Sequence, residues 1–110
     1  MDDITIREVE NIISEFATKK GLGINPEEIN TPEKFVLLHS EVSEAYEAYR
    51  RGRMDGKDGL SEELADIAIR LFQLAIIFKI DLGQEIVKKI DYNQHREWQH
   101  PNETIVKNNV

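Results

Sequence analysis

The chain has 110 residues, no cysteine, and a formal charge of −7 from 21 acidic and 14 basic residues. That length sets one domain with a modest core, and the missing thiols exclude a disulfide framework and thiolate metal ligands. The acidic balance, without any Lys/Arg run, argues against polymeric nucleic acid and lipid surfaces as partners.

The start, Met-Asp-Asp-Ile, is acidic where a secretory signal is basic. The longest apolar-rich run, 67–80, is interrupted by Arg70, Gln73 and Lys79 and is too short to span a bilayer. A soluble, cytoplasmic protein is therefore expected. Helical periodicity accounts for most of the chain and no alternating strand is evident, so the expected class is all-α: one helical domain over 1–100 and a polar tail over 101–110.

The first helix starts at Thr5, which forms a Thr-x-x-Glu capping box with Glu8, and carries Ile6, Val9, Ile12, Ile13 and Phe16 on one face. It is expected to stop near Gly21, followed by a turn region containing Gly23 and Asn25-Pro26. Thr31-Pro32 then supplies a cap and a proline at the first helical position of a second helix running to about Arg51. Phe35, Leu38, Val42, Ala45 and Tyr49 alternate spacings of three and four along it, the seam of a helix packed against another. A polar, glycine-rich connection over 51–59 forces a hairpin. Leu60, Leu64, Ile67, Leu71, Leu74 and Phe78 continue the alternation on a third helix, which should pair antiparallel with the second, while Ala45, Ala48, Ala65 and Ala68 permit close approach. From Leu71 onward this helix is apolar on almost every side, more than one neighbour covers, so a homo-oligomer is expected. Asp81-Leu-Gly-Gln84 caps a fourth helix through Ile86, Ile90 and Trp98.

Two acidic pairs stand out on this scaffold, Glu41-Val-Ser-Glu44 and Glu63-Leu-Ala-Asp66. Residues three apart on a helix differ by only about 60° in direction, so each pair offers two oxygens to a common point. Glu41 borders the second helix's seam, and Glu63, Asp66 and Arg70 form a polar stripe beside the third's. Four opposed carboxylates need a counter-cation, and oxygen-only ligands suit Mg²⁺, with Mn²⁺ as a substitute. The alternative is that these acids form ordinary wet helix faces, as expected for Glu47 and Glu62. Arg70, at i+7 and i+4 from Glu63 and Asp66, is expected to be a structural partner of one of them.

The order and spacing of these residues resemble the E-x-x-E…E-x-x-D signature of the all-α nucleoside triphosphate pyrophosphohydrolases, the superfamily of MazG, dimeric dUTPase and dCTP pyrophosphatase. With 18 residues between Glu44 and Glu63, the acids are followed by Asp81-Leu-Gly-Gln84, Lys89, Asn93 and Arg96, similar to the D-L-x-Q…K-x-x-x-N-x-x-R segment of the MazG-like and dCTP pyrophosphatase branches. The resemblance spans 35–96. It implies a MazG-like four-helix bundle, completed by oligomerisation, that hydrolyses a (d)NTP to (d)NMP and pyrophosphate. It assigns Glu41, Glu44, Glu63 and Asp66 to Mg²⁺, with Glu41 or Glu44 also orienting or deprotonating the attacking water. Lys89, Asn93 and Arg96 are assigned to substrate. It further implies a homodimer or homotetramer, and an apolar base pocket for which Phe16, Phe35, Tyr46, Tyr49 and Trp98 are candidates. Where the dCTP pyrophosphatase branch commonly carries tryptophan, this chain reads Leu22-Gly23-Ile24-Asn25 and Tyr46-Glu47-Ala48-Tyr49.

Two other classes compete. A carboxylate-bridged di-iron protein needs paired Glu-x-x-His motifs, and Glu97-Trp-Gln-His100 is a single copy. His39 and His95 have no partner motif. A non-catalytic helical module that binds nucleotides or a protein partner is the other alternative, against which the intact acids and Lys89 stand.

Overall fold

The computed structural model describes residues 3–20, 27 and 29–96. They form four helices, α1 (Ile6–Lys19), α2 (Thr31–Arg50), α3 (Leu60–Ile77) and α4 (Leu82–His95), and no strand occurs among the described residues. The expected turn at 21–26, Trp98, the Glu97–His100 motif and the tail at 101–110 lie outside them. No helix of the described residues is long and apolar enough to cross a membrane. The chain divides into two compact units, Met1–Ile80 and Asp81–Val110.

The helix starts follow local side-chain chemistry. Thr5 caps α1 in a complete capping box: its hydroxyl accepts from the Glu8 N–H at 3.1 Å, and Glu8 accepts from the Thr5 N–H at 2.9 Å. α2 is capped one residue earlier than expected. Asn30 accepts from the Glu33 N–H at 3.1 Å, which moves Thr31 and Pro32 into the first turn, where a proline deprives no carbonyl of a partner.

The connection between α2 and α3 folds back tightly. Gly52, at φ +72°, ends α2 in a Schellman motif, with Arg53 N–H donating to Ala48 C=O at 2.9 Å and Gly52 N–H to Tyr49 C=O at 3.0 Å. Leu60 N–H then donates to Arg53 C=O at 2.8 Å and Ser61 N–H to Met54 C=O at 3.0 Å, tying the start of α3 to the end of α2. A side chain at Gly59 would place its Cβ 2.5 Å from the Asp55 carbonyl oxygen, so only glycine fits there. At the far end of the hairpin, Phe35 meets Phe78 with ring centroids 6.3 Å apart. One antiparallel register therefore holds along its whole length.

α3 packs against both α2 and α1. The core of these three helices is thin: Ile13, Ala17, Ala45, Ala48, Leu74, Ala75 and Ile77 are its buried apolar residues, and four of these seven are alanines. The helices are rotated relative to the expected seams. On α3 the covered stripe is Leu60, Glu63, Ile67, Arg70, Leu74 and Ile77, whereas Leu64, Leu71 and Phe78 face outward at 42–53 % exposure. On α2 it runs through Lys34, Leu38, Glu41, Ala45 and Ala48, leaving Phe35, Val42 and Tyr49 exposed. Ala65 is also exposed. The reason lies in the three-four alternation itself, which two stripes one residue apart satisfy equally well.

In the second unit, Asp81 caps α4 by accepting from the Gln84 N–H at 3.2 Å. Ile86, Val87 and Ile90 on α4 are exposed.

Candidate metal centre

The rotation carries the acids into the hairpin seam. Glu41 is half-buried within the α2 stripe and Glu63 is buried within that of α3. With Glu44 they form a triad: one carboxylate oxygen from each of Glu41, Glu44 and Glu63 lies within 4.8 Å of the other two. The folded-back loop sets this register, placing the start of α3 beside the acidic pair of α2.

Electrostatics records the crowding. Burial pushes the Glu63 carboxyl above its ordinary value of 4.5, and the negative charges of Glu44, Asp66, Asp58 and Glu62 act in the same direction. Glu41 is also raised, first by burial, then by a hydrogen bond shared with the Glu44 carboxyl and by the charges of Glu44 and Asp66. Arg70 opposes this at Glu41. Among the described residues, no Lys or Arg forms an ion pair with any of the four acids. Arg70 is thus no direct partner of Glu63 or Asp66; its charge is felt at Glu41. Asp66 stands beside the triad, near enough to raise both Glu41 and Glu63, without belonging to it.

Glu47 shows the contrasting fate. It pairs with Arg51 at 2.6 Å and Arg50 at 2.9 Å, which hold its carboxyl below the ordinary value, while Glu62 accepts from the Asp58 N–H at 3.2 Å. These acids are provided for by the chain. The triad is not, and its oxygen-only donor set fits a hard divalent cation.

A cavity lies on each side of the acids. One, of about 420 Å³, is lined by Glu44, Glu47, Arg53, Lys57, Asp58 and Glu63. The other, of about 440 Å³, is lined by Phe16, Glu41, Asp66, Ile69, Arg70 and Gln73. Neither Arg53 nor Lys57 forms an ion pair among the described residues. Reading the sequence as a polar connection missed both cations, although their position between the two acidic pairs was the available signal. Gln73 was missed because it reads as an interruption in an apolar run.

The remaining candidates are dispersed. Lys89 and Arg96 approach the Tyr92 ring, at 4.8 and 5.8 Å from its centroid, and Asn93 lies on α4 between them. His95 contacts Asp91 through its Nδ1, 2.9 Å from the backbone carbonyl and 3.4 Å from the carboxylate. Of the candidate aromatics among the described residues, Phe16 lines a cavity beside the acids; Phe35 is engaged with Phe78, and Tyr46 and Tyr49 lie next to each other with centroids 6.3 Å apart. Compared with known protein families, curated proteins and solved structures, the chain matches none.

Proposed function

We propose that this protein is a Mg²⁺-dependent nucleoside triphosphate pyrophosphohydrolase that converts a (d)NTP to the (d)NMP and pyrophosphate. The observation that carries the reading is the triad of Glu41, Glu44 and Glu63, opposed across a helical hairpin with no cationic partner among the described residues. The resemblance of the acidic signature and of the Lys89, Asn93 and Arg96 segment supplies the reaction class.

Glu41, Glu44 and Glu63 hold Mg²⁺ or Mn²⁺, with Asp66 beside them completing the negative field. The bound ion neutralises phosphate charge and stabilises the charge that develops during phosphoryl transfer. The reaction adds water to the α-phosphorus and breaks its bond to the α,β-bridging oxygen, which leaves on pyrophosphate, while the water proton passes to a carboxylate. Glu41 is suited to accept it, since burial and its acidic neighbours make it more basic than an ordinary carboxylate. Arg53 and Lys57 supply unpaired positive charge at one edge of the triad, where the leaving phosphates gather. Lys89, Asn93 and Arg96 keep the substrate-binding role that the resemblance implies. The exposed apolar residues of α2 and α3 suit a homodimer or homotetramer.

The test is product analysis after incubation with each standard (d)NTP, with and without Mg²⁺. Monophosphate and pyrophosphate are expected, with loss of turnover in EDTA and a drop of at least ~100-fold in Glu63→Gln. Release of orthophosphate, or no turnover of any nucleotide, overturns the proposal; binding without turnover indicates a nucleotide-binding module instead.

A further inference from the structure

Gln73 is a buried polar residue, 7 % exposed, and among the described residues its side chain has no hydrogen-bond partner. The amide nitrogen and oxygen are nonetheless not sealed from solvent, so the polar end of this covered residue stays open to a partner. Here it lines the cavity of about 440 Å³ beside the acids. That volume lies within the ~300–1,000 Å³ of small-molecule pockets. Asp66, Ile69, Arg70 and Gln73 follow one another at helical spacing, so one face of α3 carries an acid of the cluster at one end of the cavity and an unpaired amide at the other, about 10 Å further along the axis. Phe16, 51 % exposed, is contributed by α1, and Glu41 by α2.

We propose that this cavity receives the nucleoside end of the substrate, with the Gln73 amide hydrogen-bonding the edge of the base and the Phe16 ring stacking on its face. An amide carries a donor and an acceptor side by side and so pairs with a base edge presenting the complementary couple. An aromatic face accepts any base without reading it. Glu41 and Asp66, which line the cavity, join it to the carboxylate cluster, so a nucleotide lying here places its phosphates at the acids and directs its terminal phosphates toward Arg53 and Lys57. Substrate selection then resides in Gln73, and affinity for nucleosides in general in Phe16. This assignment rests on the nucleotide reading of the carboxylate site.

The experiment measures binding of α,β-imido (d)NTPs and of base-free tripolyphosphate, both with Mn²⁺, to the wild type, Gln73→Met and Phe16→Leu, with folding followed by circular dichroism. Gln73→Met keeps the side chain's shape and removes its amide. It is expected to weaken binding of the preferred nucleotide about 10- to 100-fold and to level the differences between bases, with tripolyphosphate binding unchanged. Phe16→Leu, at a half-exposed position that tolerates change, is expected to weaken all nucleotides to a similar degree and again spare tripolyphosphate. If the wild type binds nucleotides but neither variant alters them, or if tripolyphosphate weakens in parallel, the pocket assignment falls while the pyrophosphohydrolase reading stands. If the variants lose nucleotide selectively but the wild type hydrolyses none, the pocket stands and the hydrolytic reading falls.

Discussion

Glutamates in this chain occupy two electrostatic regimes, and the difference fixes how stability responds to pH. Glu8 and Glu47 have donors, a capping N–H and hydroxyl in one case and two arginines in the other, and their carboxyls lie below 4.5. Their contribution is present above the unfolded value and is lost as pH falls through the folded one. Glu41 and Glu63 are raised, so between about pH 4.5 and their higher folded values the native state binds more protons than the unfolded state. Stability of the metal-free protein must therefore decline as pH rises through that window. Melting in EDTA from pH 4.5 to 8 is expected to show this fall, and Glu63→Gln to flatten it and raise the melting temperature at neutral pH. Mn²⁺ is expected to reverse the trend, its stabilisation growing as protons leave the cluster. A metal-free melting temperature that climbs across the window would show that the acids do not crowd one another in solution. At this scale the acidic pairs and the Thr5 capping box were legible in the sequence, because both depend on contacts within one helical turn. Gln73 was not, since only the tertiary placement of α1 turns an interruption in an apolar run into the wall of a cavity.

Helix termini were equally local and mostly legible, with the one-residue shift to Asn30 following from two adjacent residues that can both act as caps. The C-terminus of α3 holds a feature no pattern announced: Lys79 adopts φ +56° in a second Schellman motif, with Ile80 N–H donating to Ala75 C=O at 2.9 Å and Lys79 N–H to Ile76 C=O at 3.1 Å. A left-handed conformation disfavours a side chain by roughly 1 kcal/mol relative to glycine. Lys79→Gly is accordingly expected to stabilise the protein by about 0.5–1 kcal/mol in urea unfolding; equal or lower stability would remove strain at this residue from the account. The seam itself was legible only to within one residue. Choosing the all-apolar stripe follows the usual logic of a core, but this hairpin buries Glu63 and half-buries Glu41 and Arg70 in the alternative stripe and turns Leu64, Leu71 and Phe78 outward. An element that places charge where leucine was available has given up packing at that position.

For the molecule as a whole, the outward residues recur every seven positions along both helices, Phe35, Val42 and Tyr49 on α2, and Leu64 and Leu71 on α3 with Phe78 at its C-cap. The hairpin thus presents an apolar row on its outer face above an alanine-rich interior, a combination that suits association with another chain. Light scattering coupled to gel filtration is expected to find an oligomer. Leu71→Glu, which puts a charge in the middle of the row, is expected to weaken association by at least ~30-fold; a wild-type monomer at micromolar concentration would sink the idea.

The hairpin closed by Gly52, Arg53 and Gly59 also has a kinetic meaning. Every carboxylate of the triad lies between positions 41 and 63, within a single hairpin and inside the unit that ends at Ile80. Few residues separate the groups that must meet, so closing this one turn brings them together without a search through distant parts of the chain. The carboxylates converge when α2 and α3 zip, so the site proposed for a cation is assembled with the hairpin itself rather than by a last adjustment of a finished structure.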